Sequence, residues 1–158
     1  MRRSHTVALM AFIIAVPAAA AGSLLAPSSS KPCFIAGNAT YAFSGARSAT
    51  HIVRIDNKTA NPSLRIQLVD DPAQADFVLV DDTDAGRGCT NETVIESIRI
   101  DAAAVHPDLT VTLSRAAADH KIYVQSSSYT EQDAAALFAV MWKKARKTGS
   151  LRSFAKAS

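Results

Sequence analysis

Through the middle of the chain, apolar and polar positions alternate. Leu64, Ile66 and Leu68 are separated by Arg65 and Gln67, and Leu109, Val111 and Leu113 by Thr110 and Thr112. A period of two describes a strand with one buried and one wet face, the habit of an antiparallel sheet. Residues 51–56 and 94–101 are rich in β-branched side chains and predict two further strands. The unbroken apolar run Phe77–Val80 predicts a central strand covered on both faces. In 121–125, Tyr123 and Gln125 interrupt the apolar run and place that strand nearer an edge. Asp71 followed by Pro72 suits a single helical turn, capped by the aspartate and with proline at its first position. Phe34-Ile35 and Tyr41-Ala42-Phe43 predict a short strand or helical turn within 32–49.

After residue 129 the period lengthens. Ala134, Leu137, Phe138, Met141 and Ala145 share one face of a helix over 130–147. Thr130 and Asp133 form a capping-box pattern with Asp in place of the usual Glu, and Gly149 is a natural stop. Acids occupy the first turn, and Lys143, Lys144, Arg146 and Lys147 the last, as the helix dipole prefers. Such a helix is about 25 Å long and would lie across a four- or five-stranded sheet.

The strand pattern occurs twice. Shifted by 45 positions, 52–80 falls on 97–125 without a gap. Arg54-Ile55-Asp56 meets Arg99-Ile100-Asp101, and Pro62, Leu64, Leu68 and Ala73 meet Pro107, Leu109, Leu113 and Ala118. These seven identities exceed the one or two expected from average residue usage. The expected architecture is α+β: two tandem β-β-turn-β repeats forming one mainly antiparallel sheet, covered by the carboxy-terminal helix. It occupies a single domain, 32–147, followed by a tail at 148–158.

The amino terminus has the signature of an export signal over 1–21. Arg2 and Arg3 precede an apolar run at 7–16, and alanines up to Ala21 offer cleavage sites. That run is shorter than the ~20 residues a membrane-spanning helix needs, so no transmembrane segment is expected after cleavage. Residues 22–31, with Pro27 and a serine run, read as a flexible leader. Removing the signal changes the charge. The chain has 17 Lys and Arg against 14 Asp and Glu, and two of the bases but none of the acids lie in the signal, which leaves 15 − 14 = +1. Charge and export both argue against nucleic acid. In an oxidising compartment Cys33 and Cys89 are expected to form one structural disulfide. It would close a loop of about 57 residues and contribute roughly 4 kcal/mol by constraining the unfolded chain.

Residues 81–92 carry the sharpest chemical pattern: an acid first, Gly86 sixth and Glu92 twelfth, as in a calcium-binding loop. Thr83 and Ala85 stand where that loop wants oxygen ligands. Asp81, Asp82, Asp84 and Glu92 are therefore candidates for a divalent cation in another geometry, against a solvated loop. No other cofactor is indicated. Lys143, Lys144, Arg146 and Lys147 are candidates for contact with an anionic surface, against a face that merely complements the dipole. Asp56 and Asp101 stand at equivalent places, where the ordinary role is to end a strand and cap the next turn. His51, His106 and His120 show no ligand spacing, and no motif for a catalytic nucleophile holds up.

The stretch Ala75-Asp76-Phe77-Val78-Leu79-Val80 resembles the strand start of several bacterial envelope α+β modules, among them the amino-terminal domain of the Tol-system propeller protein and the curli-secretion lipoprotein family. This resemblance spans six residues. It implies location and architecture, and no functional residue is carried over. The reading is of a secreted or periplasmic, non-catalytic binding or assembly module of the cell envelope that contacts a protein or an anionic surface polymer. The alternative is a small metal-binding protein or enzyme centred on the acidic loop 81–92. Oligomeric state is not legible.

Overall fold

The computed structural model describes residues 33–36, 39–80 and 95–149. The expected signal and leader over 1–31, the acidic loop 81–92 with Cys89, and residues 150–158 lie outside them. Eight strands form one sheet: β1 (Phe34–Ala36), β2 (Ala39–Phe43), β3 (His51–Ile55), β4 (Leu64–Leu68), β5 (Phe77–Val80), β6 (Ile95–Ile100), β7 (Leu109–Ser114) and β8 (His120–Gln125). One helix, α1 (Glu131–Thr148), follows. The class is α+β.

The sheet is not mainly antiparallel. Its order is β1-β2-β6-β3-β7-β4-β8-β5, and only β1 and β2 run antiparallel; the six remaining pairings are parallel. The segments 52–80 and 97–125 do not lie side by side either. Their strands alternate across the sheet. Alternating polarity arises here because α1 covers one face while the connections between strands cross the other.

Parallel neighbours ordinarily need a long return crossover, yet 56–63, 69–76 and 101–108 are short. Register explains this, because the chain never returns. β3 ends with Ile55 opposite Val111, and β4 begins with Leu64 opposite the same Val111. Between them the chain steps sideways over β7 and continues in its original direction. The Asp56 N–H bonds the Val111 carbonyl at 2.9 Å, and the Ser63 N–H bonds the Thr110 carbonyl at 2.7 Å. The same step occurs over Ile98 (Phe43 to His51), Val53 (Ile100 to Leu109), Ile66 (Leu113 to His120) and Ile122 (Leu68 to Phe77). These five pivots are among the largest side chains with almost no exposure. Each has backbone on both flanks and a connection crossing behind it, so its side chain points inward under α1.

Polar side chains tie down the crossings. Asp56 Oδ1 accepts from the Lys58 N–H, and Asp101 Oδ1 from the Ala103 N–H, both at 2.9 Å. Asp108 Oδ2 accepts from the Ile52 N–H at 2.8 Å, and Ser63 Oγ from the Thr110 N–H at 3.0 Å. Arg54 reaches the Ala104 carbonyl at 3.1 Å and Arg65 the Ala60 carbonyl at 2.9 Å. Asp71 caps a 3-10 turn at Pro72–Gln74, accepting from the Ala73 N–H.

Phe77–Val80 is an edge strand, paired only with β8, and Val80 is half exposed. An apolar run does not distinguish a strand covered on both faces from one at an edge. The sheet curls until its two edges approach: the rings of Phe34 on β1 and Phe77 on β5 lie 6.1 Å apart, and Phe77 lies 5.6 Å from Phe138 on α1. Strand stagger and the diameter of a curled sheet are linked. Here the curl accommodates the helix.

That enclosure changes the helix. The spacing predicts one buried face, but every residue from Asp133 to Met141 is buried, and Ala134, Ala135, Ala136 and Ala139 have no exposure. A helix apolar all round belongs inside a core, and the run Ala134-Ala135-Ala136-Leu137-Phe138-Ala139-Val140-Met141 has that character. The capping box forms: Asp133 Oδ2 accepts from the Thr130 N–H at 2.7 Å, and Thr130 Oγ1 accepts from the Asp133 N–H at 3.2 Å. Gly149 ends the helix at φ 68°, a left-handed conformation that costs glycine least.

Candidate functional site

α1 runs against the strands, so its carboxy-terminal turn lies at the ends where β3, β6, β7 and β8 begin. The four basic residues gather there, but they are not equivalent. Lys144 Nζ bonds Glu96 Oε1 on β6 at 2.9 Å, and His51 Nε2 on β3 bonds Glu96 Oε2, also at 2.9 Å. With the carboxylate accepting, Nε2 carries the imidazole proton. Tyr41 is buried beside them, its ring 6.0 Å from Lys144 Nζ. Lys143 Nζ donates to the Asp108 carbonyl at 3.3 Å and sits 3.7 Å from its carboxylate. Lys143 and Lys144 thus fasten the helix end to the sheet.

Arg146 and Lys147 are exposed. The Arg146 guanidinium stacks over Trp142 at 4.8 Å, and the indole meets the His120 ring edge-on at 5.7 Å. His120 opens β8 and also packs on Phe138 at 5.5 Å, so it belongs to the rim of the core. The result is an aromatic shelf carrying a stacked cation, with a second cation one residue on.

The electrostatics follow from these contacts. The Lys144 ammonium and the His51 hydrogen bond hold the Glu96 carboxyl below its ordinary range, against the opposing effect of burial. Glu96 in turn raises Lys144. Burial pushes the Tyr41 hydroxyl up. Stability from Glu96 is therefore complete above the ordinary carboxylate range and is lost as pH falls through its lowered value. Stability from Lys144 is complete below the ordinary lysine range and is lost as pH rises through its raised value. We expect Glu96→Gln to lower stability at pH 7 by about 1 kcal/mol, the scale of a partly exposed ion pair. Urea unfolding at pH 7 and again near pH 3 checks this: the gap from wild type should shrink at the lower pH.

The acids of the first segment are also engaged. Asp70 pairs with Arg115 at 2.7 Å, and Asp76 Oδ2 accepts from the Lys121 N–H at 2.8 Å. With Gln67 and Gln74, Asp70, Asp71 and Arg115 line an open depression of about 390 Å³. Asp81, Asp82, Asp84 and Glu92 lie outside the described residues. Among the described residues no group of three or more His, Cys, Asp or Glu is placed to hold a metal, and no helix is long and apolar enough to cross a membrane. Cys33 immediately precedes β1, while Cys89 lies outside the described residues.

Sequence reasoning missed the Glu96 cluster. His51 and Glu96 are 45 residues apart, and only the interleaving of β3 with β6 makes them neighbours. The shift that aligns the two segments pairs the same positions, which was the one available signal. The chain matches no protein-family model, no curated protein and no solved structure with which it was compared.

Proposed function

We propose that this chain is an exported, periplasmic, non-catalytic module of the cell envelope that binds an anionic partner through the carboxy-terminal end of α1. The observation that carries this reading is the arrangement of Arg146 on Trp142 beside exposed Lys147, held in place while Lys143 and Lys144 are used internally. A stacked guanidinium is ordered before a ligand arrives, which lowers the cost of capture. The partner is a polyanionic surface polymer or an acidic protein face. A Cys33–Cys89 disulfide belongs to the same reading, since export supplies the oxidising conditions.

We also infer that 52–80 and 97–125 descend from one duplicated unit. Supporting this, the Asx turns at Asp56 and Asp101, the Arg54–Asp56 and Arg99–Asp101 pairs and the entry bonds at Ser63 and Asp108 recur at the same 45-residue spacing.

The binding test is retention of the mature protein on a polyanion such as immobilised heparin at low salt. Arg146→Glu/Lys147→Glu, which leaves Lys143 and Lys144 in place, should elute at least tenfold more readily while keeping its circular dichroism. Unchanged retention overturns the assignment of this surface. Stoichiometric calcium uptake would instead favour the acidic loop.

A further inference from the structure

We propose that the two halves of this chain are exchangeable between copies, so that the protein forms a strand-exchanged dimer in which residues 95–149 of one copy complete the sheet of another. The partner is a second copy of this chain, and the interface is the sheet itself.

The argument starts from the ladders. Among the described residues of the first half, the one ladder internal to the half joins β1 to β2, over three residue pairs. β3, β4 and β5 make no ladder with one another. All six other ladders join a strand from 39–80 to one from 95–125. β6, β7 and β8 are likewise separated from one another by strands of the first half.

The polar contacts follow the same division. His51–Glu96, Asp70–Arg115, Asp76–Lys121 and Asn57–Leu113 all join one half to the other. The pivots do so as well, with Val53 and Ile66 supplied by one half and Ile98, Val111 and Ile122 by the other. A half separated from its complement leaves unpaired strand edges and uncovered apolar side chains, and only 95–149, or 39–80, has the register to satisfy them. A second copy carries the same segment.

Within one chain the complement is held at high effective concentration, on the order of millimolar for a short connection. The closed monomer therefore prevails in dilute solution, and exchange appears when chains refold together at comparable concentration.

Two full-length variants test this. One carries Val53→Asp/Ile66→Asp, which destroys the first half; the other carries Val111→Asp/Ile122→Asp, which destroys the second. Each buries two unpaired charges and does not fold alone. An exchanged dimer of one chain of each contains one module built from two intact halves. Refolded together at several hundred micromolar, the pair should recover up to half of the native near-ultraviolet signal of wild type at equal total chain concentration. The recovered species should have the mass of two chains by light scattering. Each variant refolded alone at the same total concentration should recover none. A mixture that recovers no more than the separate variants overturns the proposal, as does recovered signal that travels at the mass of one chain.

Discussion

Ala136→Glu should be among the most damaging single substitutions in this protein, costing more than about 4 kcal/mol or abolishing folding. Ala136 lies opposite the helix face marked by Leu137, Phe138 and Met141, where a helix resting on an open sheet would meet water. There, glutamate would change stability by no more than about 0.5 kcal/mol. In the curled sheet Ala136 has no exposure, so the carboxylate enters the core without a partner. Urea unfolding followed by circular dichroism separates the two outcomes. A midpoint within error of wild type would mean that α1 has a wet side and that the curl is open.

Truncating a pivot should cost nearly as much. Ile122 receives β4 on one flank, where Leu68 ends, and β5 on the other, where Phe77 begins. Its side chain is fully buried. Ile122→Ala should lose about 2–5 kcal/mol and lower the thermal midpoint by roughly 10 °C or more. Val124→Ala, two residues along the same strand at a partly buried position, is the control and should lose clearly less. Equal losses would show that the crossing points hold no special place in the core.

The sequence marked the elements well and their arrangement poorly, and the reasons are physical. Strand positions follow from local alternation, so the span of β4 and the starts of β3, β5 and β7 are readable from the chain. The capping box at Thr130 and the stop at Gly149 are local too. Pairing direction is not local. Leu64, Ile66 and Leu68 alternate with polar residues whether the neighbouring strand runs up or down, because the pattern records which face is dry and nothing more. The wet face of β4 is crossed by connections whose polar groups the side chains satisfy. Helix enclosure was legible in principle from Ala134, Ala135 and Ala136, three small residues in a row where a one-sided helix would carry charge. At the candidate site, the basic cluster at 143–147 was visible, but its division into two anchored and two exposed cations depends on Glu96 and Asp108, which only the fold brings near.

Alternation of the halves also sets when the protein becomes foldable. A nascent chain that has emerged as far as Val80 holds β1 to β5 but none of β6, β7 and β8, to which β3, β4 and β5 hydrogen-bond. Apart from the short β1–β2 hairpin, order must wait until the stretch ending at Gln125 is free, and the helix that fills the interior comes later still. Contacts of such long sequence separation make folding slow. They also leave an incomplete chain open, its strand edges and apolar side chains uncovered, until its last strands arrive.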